Sequence, residues 1–226
     1  MPRDESPTVN APARPAAGRP KDPGKRAALV EAAGTLFCRH GFEAVSLDAI
    51  AQAAGVSKLT IYSHFGDKEG LFTAAVEARC EAQLPHGLFE LPANLPVAEA
   101  LRQIGRGFCE LVYSDDAVQL MRTMAAQAGH STRLARLYFE AGPRRALREM
   151  EGFLTLARER GELGVDDVRL AAAQFFALLN GVTHMRLLIG LEPAPDAAAR
   201  AAHADRCVAL FLRAHPPRSR GGQTRP

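Results

Sequence analysis

Between residues 46 and 68 the chain reads SLDAIAQAAGVSKLTIYSHFGDK, and its polar side chains include hydroxyls, a phenol, an imidazole and ammonium groups. A helical advance of about 100° per residue from Lys58 sorts them onto faces. Ile61 and Phe65 fall on one side, Leu59, Thr60 and Ser63 on the other. The first pair suits a core. On the second face, small hydroxylated side chains let a helix backbone come close to base edges, where Thr60 and Ser63 can hydrogen-bond and Leu59 can lie against a thymine methyl. Lys58, Tyr62, His64 and Lys68 flank that face, and their chemistry suits phosphate oxygens. Helix N-termini at Ser46 and Ser57 add dipole attraction for the same anions.

Such contacts work only if two helices hold them at a fixed angle. Leu47, Ile50, Ala51 and Ala54 recur at helical spacing behind Ser46, whose hydroxyl can cap the first free N–H groups. Gly55 ends that helix, Val56 is a buried plug, and Ser57 caps a short helix over 58–65. The pattern is a helix-turn-helix. The competing reading is an ordinary amphipathic helix pair with an incidental glycine turn. Before it, a helix over 25–40 carries Leu29, Ala32, Ala33, Leu36 and Phe37 on one stripe and stops at Gly41. After it, Asp67 caps a fourth helix that begins at Lys68 and closes before Pro85. By position that helix belongs to both halves of the chain, a lever between them.

The stretch SLDAIAQAAGVSKLTIYSHFGDKEGLF and the preceding AALVEAAGTLFCRHGFEAV resemble the DNA-binding head of the TetR/AcrR family of transcriptional regulators, over roughly residues 25 to 75. The resemblance implies phosphate contacts at Ser46, Tyr62, His64 and Lys68 and base contacts at Lys58, Leu59 and Thr60. Leu59 stands where small, Pro or basic residues are more usual. Further on, TRLARLYFEAGPRRALREM is similar to the regulatory domain of the AefR-like subgroup.

With 226 residues, 47% hydrophobic and 23% charged, the chain can form a small head and a second helical domain. Net charge is only +3, but residues 1–26 carry six Lys/Arg against three acids and residues 213–226 four Arg and no acid. Positive charge therefore gathers in the tails and at the reading helix. Cys38, Cys80, Cys109 and Cys207 are far apart, without metal-ligand spacing. They read as buried thiols in a reducing cytoplasm, with a redox sensor as the alternative. No apolar segment follows the N-terminal charges, so secretion is not indicated. Residues 171–191 are apolar enough to raise a membrane question, but Gln174, Asn180, His184 and Arg186 within them favour a buried core helix over a span.

The expected architecture is all-α: an N-terminal three-helix helix-turn-helix head and a C-terminal helical ligand-binding and dimerisation domain. Residues 1–24 read as a disordered basic arm, 25–84 as the head with its connecting fourth helix, 85–214 as the regulatory and dimerisation domain, and 215–226 as a flexible basic tail. Within the arm, Gly18-Arg19-Pro20-Lys21 matches the short core by which an Arg enters the minor groove; a solubilising tail is the competing reading. Helices follow over 97–113, a segment capped by Asp115 or Asp116, 132–141, 144–160, 166–191 and 196–214, with a loop over 88–96.

Residues 171–191 are apolar nearly all round, which requires burial on two sides. A second copy is the simplest cover for one side, in a two-fold bundle with the last helix (Cys207, Val208, Phe211), and the resemblance implies the same homodimer. Aromatics and Met gathered around isolated polar groups point to a pocket at Phe108, Met124, Gln127, Phe176, Asn180 and His184, although plain cores contain the same residues. The chain thus reads as a ligand-responsive regulator, a repressor that binds near-palindromic double-stranded DNA and is released by a small hydrophobic effector. The alternative is an architectural DNA-binding protein without effector. No HExxH, P-loop, GxSxG or strand-linked GxGxxG occurs, so no catalytic group, metal site or cofactor is expected, and no membrane partner.

Overall fold

The computed structural model describes residues 22–127 and 132–217, and among these it holds ten α-helices and no strand. They are α1 Pro23–His40, α2 Leu47–Ala53, α3 Lys58–Phe65, α4 Lys68–Gln83, α5 Val97–Val112, α6 Asp115–Ala126, α7 Thr132–Ala141, α8 Pro143–Glu159, α9 Val168–Leu188 and α10 Ala197–Ala214. The expected all-α architecture is what the chain adopts. The arm bearing Arg19 and the end of the basic tail lie outside the described residues.

The head forms where local rules agree. Ser46 Oγ accepts from the Ala49 N–H at 3.1 Å, Ser57 Oγ from Thr60 at 3.3 Å, and Asp67 Oδ1 from Gly70 at 2.7 Å, so α2, α3 and α4 all begin on a side-chain cap. Asp22 adds one at the start of α1, with Pro23 in the first turn. Between α3 and α4 the chain folds so tightly that a Cβ at Gly70 would run into the Phe65 carbonyl oxygen. Only glycine fits there, and it fixes α3 against α4.

Two apolar cores result. The larger joins Leu101, Ile104 and Phe108 of α5 with Met150, Phe153 and Leu154 of α8, Phe175 and Leu179 of α9, and Val208 and Phe211 of α10. The smaller holds Leu29, Phe37, Ile50, Ile61, Leu71 and Phe72 of the head, and Leu134 and Ala141 of α7 are buried in it, with Met124 and Leu120 of α6 packed alongside. The head therefore shares its core with two helices from beyond residue 85.

The structure corrects several expectations. Ser114, not Asp115 or Asp116, caps α6: its Oγ accepts from the Ala117 N–H at 3.3 Å, while Asp116 pairs with Arg79 of α4 at 3.0 Å. A 3-10 turn, His86–Phe89, runs into the start of the expected loop over 88–96. Helix α9 ends at Leu188, and it is broken at Gly181, whose φ of 55° and ψ of −170° lie in a region open essentially only to glycine. Val208 and Phe211 face the chain's own core at 1% exposure each, so the outward side of α10 is the one bearing Leu210.

Candidate nucleic-acid interface

Helix α3 is anchored by Ile61, with Phe65 packed alongside on the head core, and exposes most of the rest. Ile61 is fully buried, whereas Leu59 is 76% and Tyr62 46% exposed. Ser63 is exposed, and Thr60 and His64 are half-buried. So short a helix is held because Ile61 and Phe65 pack on the head core and Ser57 supplies the missing acceptor. The outward face is thus apolar at Leu59, hydroxylated at Ser63 and phenolic at Tyr62.

Several of its polar groups are engaged within the head. The Lys58 ammonium lies 2.9 Å from Asp48 Oδ2, and this carboxylate raises its pKa. The Ser57 and Thr60 hydroxyls lie 2.9 Å apart, and the Ser63 hydroxyl donates to the Thr60 carbonyl at 2.9 Å. Lys68 turns its ammonium over the Phe42 ring, 4.4 Å from the centroid, and donates to the Glu43 carbonyl at 3.3 Å; burial lowers its pKa. Ser46 spends its hydroxyl on the α2 cap. His64 lies against Phe65 and, with Arg26, Asp67 and Glu77, lines an open cleft of about 520 Å³ between the head and α7.

Sequence reasoning did not single out Asp48 or Arg26. Asp48 meets Lys58 ten residues later only because α2 and α3 cross, and Arg26 stacks over Phe65 at 5.4 Å only because α1 spans both. No local spacing signals either contact.

The six residues expected to line one pocket fall into two groups. The Phe108 and Phe176 rings lie tilted against each other, 4.6 Å between centroids, and nearby Tyr113 meets the His184 ring edge-on at 5.4 Å and donates to the Asn180 carbonyl at 3.0 Å. Burial holds His184 below the usual imidazole range, while a hydrogen bond to the Val112 backbone works against that shift. Met124 and Gln127 sit elsewhere: Met124 packs on the head core, and Gln127 lies beside Gly41 at the end of α1. The side-chain oxygens of Asn180 and Gln127 are both buried without a hydrogen-bond partner among the described residues. A second open cleft, of about 500 Å³, lies between α6 and the end of α9 around Arg122.

Helix α9 leaves an apolar stripe uncovered in the single chain: Leu170, Val182, Met185 and Ile189 are 54%, 59%, 55% and 69% exposed, and Leu210 of α10 is 46% exposed. Among the described residues no helix is long and apolar enough to cross a membrane, and no cluster of metal-ligating side chains occurs.

Comparison with known proteins gives this arrangement a family. Residues 29–75 match the model of bacterial regulatory proteins of the tetR family, and residues 99–216, more than half of the chain, match the C-terminal domain of AefR-like transcriptional repressors. The HTH-type transcriptional repressor ComR of Escherichia coli is 43% identical over 74 residues, which are 30% of this chain and 35% of that one. The match thus spans about a third of the length of ComR. The Flavonoid-responsive Regulator FrrA is 36% identical in structural alignment, with a TM-score of 0.64 over 86% of this chain and 98% of that one. A TetR transcriptional regulator from Agrobacterium tumefaciens aligns with a TM-score of 0.71 at 27% identity, over 86% of this chain and 95% of that one. The chain therefore belongs to the TetR family of DNA-binding transcriptional regulators, with a C-terminal domain of the AefR-like kind.

Proposed function

We propose that the protein is a repressor that binds a near-palindromic operator as a homodimer and leaves it when a small, largely aromatic effector enters the regulatory domain. The observation that carries the DNA half is the face of α3: Leu59 and Tyr62 stand exposed on a helix whose opposite side, Ile61, is fully buried. In this reading Lys58, Leu59, Thr60 and Ser63 address base edges and Ser46, Tyr62, His64 and Lys68 the phosphates. Arg19 would reach the adjoining minor groove.

The effector half is supported by Phe108 packed against Phe176, by Tyr113 and His184 beside them, and by the unpartnered Asn180 oxygen, which suits a ligand hydroxyl. FrrA is flavonoid-responsive, so a flavonoid is the probe to begin with. Met124 and Gln127, packed against the head, would sense the effector indirectly through α6.

A ligand shifts an equilibrium only by its differential affinity for two states, and linkage makes the coupling reciprocal. The test selects duplexes from a random pool, then titrates a flavonoid calorimetrically into the protein with and without the selected duplex. Weaker flavonoid binding in the presence of DNA is expected. Equal affinities would overturn the allosteric reading, and binding without sequence preference but with steep salt dependence would leave an architectural protein.

A further inference from the structure

The acid that pairs with Lys58 has no evident place on a surface that meets DNA. Asp48 is the second residue of α2, Lys58 the first of α3, and their charged atoms are 2.9 Å apart with the side chains 71% and 44% exposed. A carboxylate beside the leading cation of a reading helix opposes the attraction on which all DNA binding depends.

We propose that Asp48 is a specificity-determining residue of the head: by holding the Lys58 ammonium on α2 it withholds that charge from backbone phosphates and yields it only to a base edge that can replace the carboxylate. The proposal rests on the reading of α3 as the DNA-contacting helix.

A phosphate approaching Lys58 on an arbitrary sequence also approaches Asp48, and the two anions compete for one ammonium. The gain from the cation is then largely offset, and little counterion release is credited to it. A guanine offers O6 and N7 together, two acceptors held in the groove by the rest of the interface, and that pair can take over the ammonium. Exposed ion pairs are weak enough to open when a better partner is fixed in place. Discrimination thus comes from a repulsive element against the wrong partner as well as an attractive one for the right partner. The neighbouring hydroxyls follow the same economy, since Thr60 and Ser63 are also engaged inside the head until something displaces their partners.

The experiment uses the full-length chain, the duplex that the wild-type protein selects from a random pool, and an unrelated duplex of equal length. Affinities are read by fluorescence anisotropy across a salt series. Asp48→Asn should tighten binding to the unrelated duplex about threefold to tenfold and steepen its logarithmic salt slope by about one per head, because one more phosphate is neutralised. Binding to the selected duplex should tighten less, so the ratio between the two falls. In a Lys58→Ala background the same Asp48→Asn change should leave slope and ratio alone, and Asp48→Glu, which can re-form the pair, should keep the wild-type slope. An unchanged slope and ratio in Asp48→Asn would overturn the proposal. So would an equal response in the Lys58→Ala background, which would make Asp48 a diffuse field effect. Should Asp48→Asn fail to fold, Lys58→Ala alone decides: it must lose more affinity on the selected duplex than on the unrelated one, and equal losses count against the proposal. Failure of the wild-type protein to select any duplex would instead strike the DNA reading itself.

Discussion

Burial settles the chemistry of individual residues here more than charge does. Desolvation pushes the Cys38 thiol up to about 11 and that of Cys109 to about 12, from an ordinary value of 9.0. At pH 8 the thiolate of Cys38 is then on the order of one in a thousand, too little for a redox sensor that needs a ready nucleophile. Alkylation of the folded chain at pH 8, followed by mass spectrometry, should leave Cys38 and Cys109 unmodified, and both should react once denaturant is added. Rapid labelling of either in the folded state would reopen the redox alternative. The same shifts set a pH dependence. Above about 9 the unfolded thiols lose their protons while the folded ones keep them, so the folded state binds more protons and stability falls as pH rises from 9 toward 11. Below about 8 neither thiol should contribute to the pH dependence of the melting temperature.

At the level of elements, helix α9 combines what sequence reveals with what it hides. Its apolar run was plain, but its break at Gly181 was not, because a lone glycine inside a helical pattern reads as a tolerated interior residue. The break frees carbonyls that a straight helix would use, and neighbouring helices take them: Cys207 Sγ donates to the Leu178 carbonyl at 3.3 Å, His203 Nε2 to that of Leu179 at 2.8 Å, and the Tyr113 hydroxyl to that of Asn180 at 3.0 Å. Gly181→Ala should therefore cost about 1–3 kcal/mol in thermal or urea unfolding, the scale of a strained backbone conformation imposed on a residue with a Cβ. An alanine variant as stable as the parent would mean that α9 straightens freely. The head, by contrast, was legible almost to the residue. Ser46, Ser57 and Asp67 act through bonds three residues long, and such local rules survive any tertiary arrangement. What failed was whatever depended on the facing of one helix against another. Met124 was read with Phe108 because both are large and apolar; the side of α6 that carries Met124 is decided by α1, which no periodicity within α6 encodes. The cap of α6 was missed for a simpler reason, since Ser114, Asp115 and Asp116 are all good caps in succession.

At the scale of the whole molecule, the uncovered stripe on α9 and α10 asks for a partner. Val182 and Met185 of α9 and Ile189 at its C-terminal end present more than half of their surface to solvent, and Leu210 of α10 is nearly half exposed. Several large apolar side chains in one line are more than scattered surface residues, and burying them gains roughly 25 cal/mol for each Å² removed from water. The chain's own Val208 and Phe211 are already committed inward, so the face available to a second copy is the one bearing Val182, Met185 and Leu210. Two-fold pairing there places one helix of each copy against its equivalent, and a stable pair needs roughly 1,200–2,000 Å² buried in total. Under the proposed function dimerisation would matter, because a single eight-residue α3 would read few bases, whereas two heads on one rigid body would multiply their affinities and fix the half-site spacing. Replacing Val182 and Met185 together by Glu should therefore yield a monomer in analytical ultracentrifugation at micromolar concentration. Circular dichroism should stay helical, because neither side chain contributes to the buried cores. Affinity for the selected duplex should fall at least about a hundredfold, the lower end of what linking two sites supplies, while binding to an unrelated duplex falls less. A double variant that still sediments as a dimer would move the interface off this face, and a monomeric variant with undiminished affinity for the selected duplex would show that one head suffices.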